Sequence, residues 1–155
     1  MEAYSAPTLF EWLGGIEPLR RWIRRFYDQV HEDAELAPVF AAAPPDHAEH
    51  VADWLAEVLG GPTAYSEHRG GHLGMIRRHR GRRLTEAQRR RWLTLVLDTT
   101  DEVGLPSDPE FRASFVSYLE WGTRLAVVFS ASEQAPDVPE PVPTWDWVRP
   151  PWTGS

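Results

Sequence analysis

Apolar side chains recur at helical spacing along four long stretches of the chain, and this periodicity limits the fold to packed helices. The first stretch covers residues 17–31. The second covers residues 46–59, opens with Asp46 and Glu49 in the spacing of a capping box, and stops at a Gly-Gly-Pro run. Both stretches predict helices that bury one apolar face against the rest of the domain.

Two further helices are predicted in the second half of the chain. Thr85 and Gln88 have the capping-box spacing at the start of the third helix. The fourth begins at Asp108-Pro109 and keeps its apolar residues on one stripe as far as Phe129. No alternating strand pattern competes with these four stretches, so the sequence predicts an all-α fold.

Residues 1–130 are predicted to form one domain, because a chain of 155 residues suits a single core. The composition changes at its end, where the 26 residues from Ser130 onward contain six of the 14 Pro and three of the eight Trp. Residues 131–155 therefore predict an extended tail. Its Trp145, Trp147 and Trp152 either dock on the domain's own surface, which we favour, or present a motif to a partner.

The charge distribution bears on the class of partner. The formal net charge of −7 argues against nucleic acid, because phosphate binding needs a positive surface. All 16 basic residues are Arg, and nine of them lie between Arg69 and Arg91. This block is either a solvated helix face or a site for carboxylates, which guanidinium groups bind in a forked geometry.

The compartment is predicted from features that the sequence lacks. There is no Cys, which excludes disulfides, thiolate metal sites and thiol nucleophiles. No apolar run approaches the roughly 20 residues that a membrane helix needs, and the N-terminus lacks the regions of a signal peptide. We therefore expect a cytoplasmic protein without a membrane partner.

His79 is the most specific chemical feature of the sequence. It closes a short helical stretch, residues 71–79, in a segment rich in Gly and Arg, and it precedes Trp92 by thirteen positions. A neutral imidazole among apolar side chains is a suitable axial ligand for haem iron, so a planar cofactor could lie between His79 and Trp92. Arg78 or Arg77 could then pair with carboxylates of that cofactor. The alternative is an ordinary structural or surface histidine.

A second histidine motif, His47-Ala-Glu-His50, suggests a metal site at first sight. Its histidines are three positions apart, whereas those of the zinc metallopeptidase motif His-Glu-x-x-His are four apart. The intervening glutamate would then not lie where that enzyme's general base lies. The sequence therefore argues against a metal-dependent hydrolase.

Several short motifs along the chain combine into a resemblance to a known family. They are Phe26-Tyr27, Pro38-Val39-Phe40, Gly60-Gly61-Pro62, Tyr65-Ser66-Glu67, Gly71-His72, Arg78-His79 and Trp92. In this order they resemble the truncated haemoglobins, specifically the second group, over about residues 8–130. The resemblance implies a shortened globin, a two-over-two helical sandwich, with haem b held between the helix of residues 46–59 and the segment ending at His79.

The resemblance also implies roles for individual residues. His79 matches the proximal iron ligand. Tyr27 and Trp92 match the distal tyrosine and tryptophan, whose O–H and N–H groups can donate hydrogen bonds to a bound diatomic ligand. Phe40 stands where many members carry a second distal tyrosine, which removes one donor. His47 occupies a distal position often held by a small residue, where it could donate to the ligand, gate its entry or bind the iron.

The resemblance also implies that further residues contact the cofactor. Val51 and Trp54 would line the distal side of the haem, and Leu73 and Ile76 the proximal side, although all four are also ordinary core residues. His50 would lie near a propionate or the rim of the pocket, or would simply be exposed. The remaining expected contacts are Tyr65, His72 and Arg78.

The function implied is the binding or transport of dioxygen and other diatomic ligands. Weak peroxidase or nitric oxide dioxygenase activity is chemically allowed if a reductase supplies electrons. The chain could also form a homodimer. The alternative from a different class is a haem-free helical module whose Pro- and Trp-rich tail and Arg block bind a protein partner.

Overall fold

The computed structural model describes residues 5–134 and 140–151, so that Trp152 of the predicted tail lies outside the described residues. Within them the chain forms eight α-helices and no strand, as the sequence predicts. These are α1 (Leu9–Leu13), α2 (Ile16–Glu32), α3 (Ala37–Phe40), α4 (His47–Val58), α5 (Ala64–His68), α6 (Gly71–His79), α7 (Glu86–Glu102) and α8 (Pro109–Ser130). None of these helices is long and apolar enough to cross a membrane.

The four long predicted helices correspond to α2, α4, α7 and α8. Helix α2 packs against both α4 and α7, and α8 packs against both α6 and α7. The core between them is apolar and rich in aromatic rings, with Trp22 and Phe115 in edge-to-face contact. The buried indole N–H of Trp22 donates to the Thr99 hydroxyl across 3.0 Å, which satisfies the polar group and links α2 to α7.

Two of the three predicted helix starts have the side-chain bonds expected. Thr85 and Gln88 form a reciprocal capping box on α7, and Asp108 accepts from the backbone N–H of Phe111 at the start of α8. The prediction of a capping box at Asp46 is wrong. Its backbone has ψ 15° rather than the extended conformation of a capping residue, and its carboxylate instead contacts His50 at 2.9 Å.

Residues 140–151 of the tail form a strap. It contains no helix and runs over the outside of the helices. The Trp145 backbone N–H donates to the Val58 carbonyl at the end of α4 (2.6 Å), and its indole N–H donates to Ser117 on α8 (2.9 Å). The Trp147 indole donates to the Pro7 carbonyl (2.8 Å). Both described tail tryptophans therefore dock on the domain's own surface.

Candidate functional site

A cavity of about 300 Å³ lies among α2, α4, α6, α7 and α8, with a mainly apolar lining. This volume is at the lower end of the ~300–1,000 Å³ typical of small-molecule sites. Ten of the thirteen site residues predicted from the sequence line it. They are Tyr27, Phe40, His47, His50, Val51, Trp54, Tyr65, Arg78, His79 and Trp92.

The other three predicted residues, His72, Leu73 and Ile76, do not line the cavity. Ile76 is fully buried in the core, and His72 is only 4% exposed and stacks behind Trp54 with ring centroids 6.1 Å apart. Met75, one helical turn before His79, lines the cavity with it.

His79 ends α6 with its ring held in one orientation. Its Nδ1 lies 2.7 Å from the backbone oxygen of Met75, and because a carbonyl oxygen only accepts, Nδ1 carries the proton. In the neutral ring Nε2 then carries the free lone pair. Burial lowers the pKa of the His79 imidazole below its ordinary value, so the ring is neutral at physiological pH.

Tyr27 lines the cavity from α2 and is surrounded by aromatic rings. Its ring makes edge-to-face contacts with Phe40 (5.5 Å) and His47 (5.0 Å). Burial raises the pKa of the Tyr27 phenol, and hydrogen bonding from Trp92 offsets only part of that rise. The phenol therefore keeps its proton at neutral pH and remains a hydrogen-bond donor.

His47 is brought directly to that phenol. Its Nε2 lies 3.1 Å from the Tyr27 hydroxyl oxygen, in a contact whose donor depends on the histidine tautomer. Burial, with smaller contributions from His50 and Arg82, lowers the pKa of the His47 imidazole from 6.5 to about 4. His47 is therefore neutral above about pH 5 and can donate only one N–H at a time.

This lowered pKa predicts a loss of stability in mild acid. Between pH 6.5 and 4 the unfolded chain binds a proton at His47 that the folded chain does not, so unfolding becomes easier as the pH falls. After a discount for partial exposure we expect this residue to contribute about 2 kcal/mol of that loss.

Urea unfolding of the wild-type chain and of His47→Asn at pH 7 and pH 4.5 measures the contribution. The variant should lose less stability than the wild type over this interval, because position 47 no longer titrates. Equal losses in the two proteins would show that His47 titrates alike in the folded and unfolded chains.

At the rim of the cavity His50 contacts the Asp46 carboxylate at 2.9 Å, and its side chain is 22% exposed. Neighbouring Arg69 is engaged by Asp53 at 2.8 Å. His47 and His50 therefore point to different partners and do not act as a pair. Within the described part of the chain no cluster of three or more His, Asp or Glu residues could hold a bare metal ion.

One wall of the cavity is built around Trp54 of α4. Its indole N–H donates to the Tyr118 hydroxyl across 2.6 Å, and its ring packs edge-to-face against Tyr65 at 5.0 Å. The Tyr65 hydroxyl accepts from Arg78, which also donates to the backbone oxygen of Arg69 (2.7 Å). Arg78 is thus fixed at the cavity edge, whereas the predicted alternative, Arg77, does not line the cavity.

Several lining residues were missed by the sequence interpretation. Met75 is one helical turn before His79, and Tyr118, Gly122 and Ala126 follow one another at four-residue spacing on α8. The four-residue spacing of the three α8 residues places them on one face of that helix, and from the sequence this face was assigned to the core. Spacing alone does not separate a face that packs on a helix from one that borders a cavity.

The residues present fit a planar iron cofactor. A haem brings four nitrogen ligands of its own and needs an axial imidazole, a dry slot and partners for its carboxylates. His79 offers the imidazole, and the apolar lining offers the slot. Arg78 and Arg82 border the cavity with guanidinium groups that can pair with carboxylates.

Comparison with known proteins agrees with this geometry. A family model for the bacterial-like globins matches residues 8–121. The chain is 30% identical over 123 residues to the group 2 truncated haemoglobin of Bacillus subtilis strain 168, a match covering 79% of this chain and 89% of the relative.

Solved structures give the same result. The group II truncated haemoglobin from Bacillus anthracis superposes with a TM-score of 0.72 at 25% identity, over 80% of this chain and 93% of that one. The truncated oxygen-avid haemoglobin from Bacillus subtilis has a TM-score of 0.69 at 29% identity, over 78% of this chain and 99% of that one.

The chain therefore belongs to the bacterial-like globin family. Its relatives are group II truncated haemoglobins, which confirms the resemblance read from the motifs. The shortened two-over-two globin fold is confirmed with it. Membership of this family implies haem-based ligand binding, and the haem-free module is left without support.

Proposed function

We propose that this chain binds haem b in the cavity, with His79 as the protein's iron ligand, and that dioxygen and other diatomic ligands bind on the side of Tyr27. The observation that carries the proposal is the bond from His79 Nδ1 to the Met75 oxygen at 2.7 Å. It fixes the tautomer and leaves Nε2 of a cavity-lining ring free, as metal-binding histidines require. A haem held here would supply an iron atom that binds diatomic ligands.

On the distal side we assign Tyr27 the role of donor to the ligand. His47 Nε2 and the Trp92 indole both approach the Tyr27 oxygen. If both donate to that oxygen, the phenolic hydrogen is free to point at the ligand. His47 and Trp92 then orient the tyrosine, and Phe40 packs against the rings of both Tyr27 and His47. Burial strengthens each of these bonds because little water competes.

The remaining lining residues hold the cofactor. Val51, Trp54 and Met75 supply apolar contacts with the ring. Arg78 and Arg82 are placed to pair with the propionates, and the Arg82 guanidinium is held by the Arg78 carbonyl at 2.6 Å. His72 stacks on Trp54, which lines the cavity, while His72, Leu73 and Ile76 do not line it themselves.

Dioxygen is the ligand favoured by the comparison, since one relative is described as oxygen-avid. Turnover of nitric oxide or peroxide would need electrons from a reductase, so it stays a secondary proposal. The test is an absorption spectrum of the chain produced with haem available. We expect an intense violet band that shifts when carbon monoxide is added to the reduced protein. A folded, colourless protein that takes up no added haem would refute the proposal.

A further inference from the structure

One strap tryptophan, Trp145, contacts two residues that line the cavity. The Trp145 ring lies 5.4 Å from the Tyr118 ring in an edge-to-face contact and 5.5 Å from the Trp121 ring. Tyr118 and Trp121 both line the cavity. The bond from the Trp145 indole to Ser117 fixes the ring in that position. Trp145 therefore stands directly behind the cavity wall.

Tyr118 links Trp145 to Trp54. Its buried hydroxyl accepts the indole N–H of Trp54 across 2.6 Å, which joins α8 to α4 at the cavity. The ring is also closely confined, because a Cβ atom at Gly122 would lie 3.2 Å from its hydroxyl end. A shift of Tyr118 would break the bond to Trp54 and leave a buried polar group unpaired.

The second strap tryptophan makes no such connection. Trp147 packs edge-to-face on Trp12 at 5.5 Å and donates to the Pro7 carbonyl. Neither Trp12 nor Pro7 lines the cavity. The two tryptophans therefore anchor the same segment, but only Trp145 touches the cavity wall.

We infer that the strap is a working part of the cavity wall, in which Trp145 positions Tyr118 and through it Trp54, and so slows the escape of the bound cofactor. This inference rests on the proposed haem binding. It lies outside the residues 8–121 that the family model matches, because Trp145 belongs to the strap. Trp145 and Tyr118 are positioning residues, and Trp54 is the residue that meets the cofactor.

The first measurement is the rate at which the loaded full-length protein gives up haem to an excess of a haem-scavenging protein. Trp145→Ala should release haem about tenfold faster than the wild type, the effect of one weakened buried hydrogen bond. Trp145→Phe, which keeps a ring, and Trp147→Ala, the matched control, should each stay within about threefold. Thermal unfolding recorded in parallel separates haem release from general loss of stability.

The second measurement does not depend on the cofactor. Hydrogen exchange at the Trp54 indole N–H, followed by NMR, should be about tenfold faster in Trp145→Ala but not in Trp147→Ala. Tyr118→Phe removes the hydroxyl that accepts from Trp54 but changes no residue of the strap. It should accelerate both the exchange and the release of haem.

Equal effects of the two Trp→Ala variants, or a Tyr118→Phe variant that behaves like the wild type, would overturn the inference. A wild-type chain that takes up no haem refutes the proposed function instead. In that case the Trp54 exchange rates still decide whether Trp145 positions this wall.

Discussion

Replacing His79 by Gly is expected to remove most of the violet absorption from the purified protein. In the proposed site the His79 imidazole would be the protein's bond to the iron, and its ring is held by the Met75 oxygen. Loss of a residue that merely supports a metal ligand weakens binding by about 10–100-fold, so loss of the ligand itself should cost more. The measurement is a haem titration followed by absorption spectroscopy.

Two controls make this result specific. Free imidazole added to His79→Gly should restore the band, because it can occupy the space of the missing ring. His68→Ala removes an exposed histidine of α5 and should leave haem affinity unchanged. If the band disappears in His47→Ala and persists in His79→Gly, the protein's iron ligand is on the opposite side of the cavity from the one proposed.

Replacing Tyr27 by Phe should have the second largest effect, a faster dissociation of dioxygen. The phenol stays protonated because burial raises its pKa, and in the proposed arrangement its hydrogen points at the ligand. A hydrogen bond to a group with partial charge contributes about 1.5–3 kcal/mol, which corresponds to dissociation faster by about 10–150-fold. Stopped-flow displacement of dioxygen by carbon monoxide measures the rate.

Tyr65→Phe is the matched control for that substitution. It removes a phenol hydroxyl from the same cavity, but this hydroxyl is engaged by Arg78. Dissociation of dioxygen should stay close to the wild-type rate, while haem retention changes instead. Equal dissociation rates in Tyr27→Phe and the wild type would mean that the Tyr27 hydrogen is donated to His47 and not to the ligand.

The long helices could be predicted from the sequence because their apolar stripes extend over several turns. The start of α7 was also predictable, since Thr85 and Gln88 satisfy each other locally. Helices α1, α3 and α5 have only four or five residues, too few to show a helical period. The error at Asp46 has a physical cause as well, because the nearby His50 binds its carboxylate in place of the backbone.

The candidate site was predictable in part. The family resemblance predicted that Tyr27, Phe40 and His47 lie on one side of the site, and the structure brings their three rings into contact. The contact of His47 with the Tyr27 hydroxyl depends on how α4 approaches α2. On α6 the sequence predicts His79 and the helix that it ends. Met75 also lines the cavity whereas Leu73 and Ile76 do not, and this depends on how α6 packs against the other helices. The role of Tyr118 needed the packing of α8 against α4.

The strap also has a consequence for the order in which the protein assembles. The bond from Trp147 to Pro7 joins positions 140 residues apart, and Trp145 binds a carbonyl that exists in place only once α4 has formed. Contacts between residues so distant along the chain form late in folding. During synthesis the strap also leaves the ribosome after the eight described helices. If haem binds in the cavity as proposed, the bundle that forms before the strap docks can admit the cofactor through an incomplete wall, and docking of the strap then completes that wall.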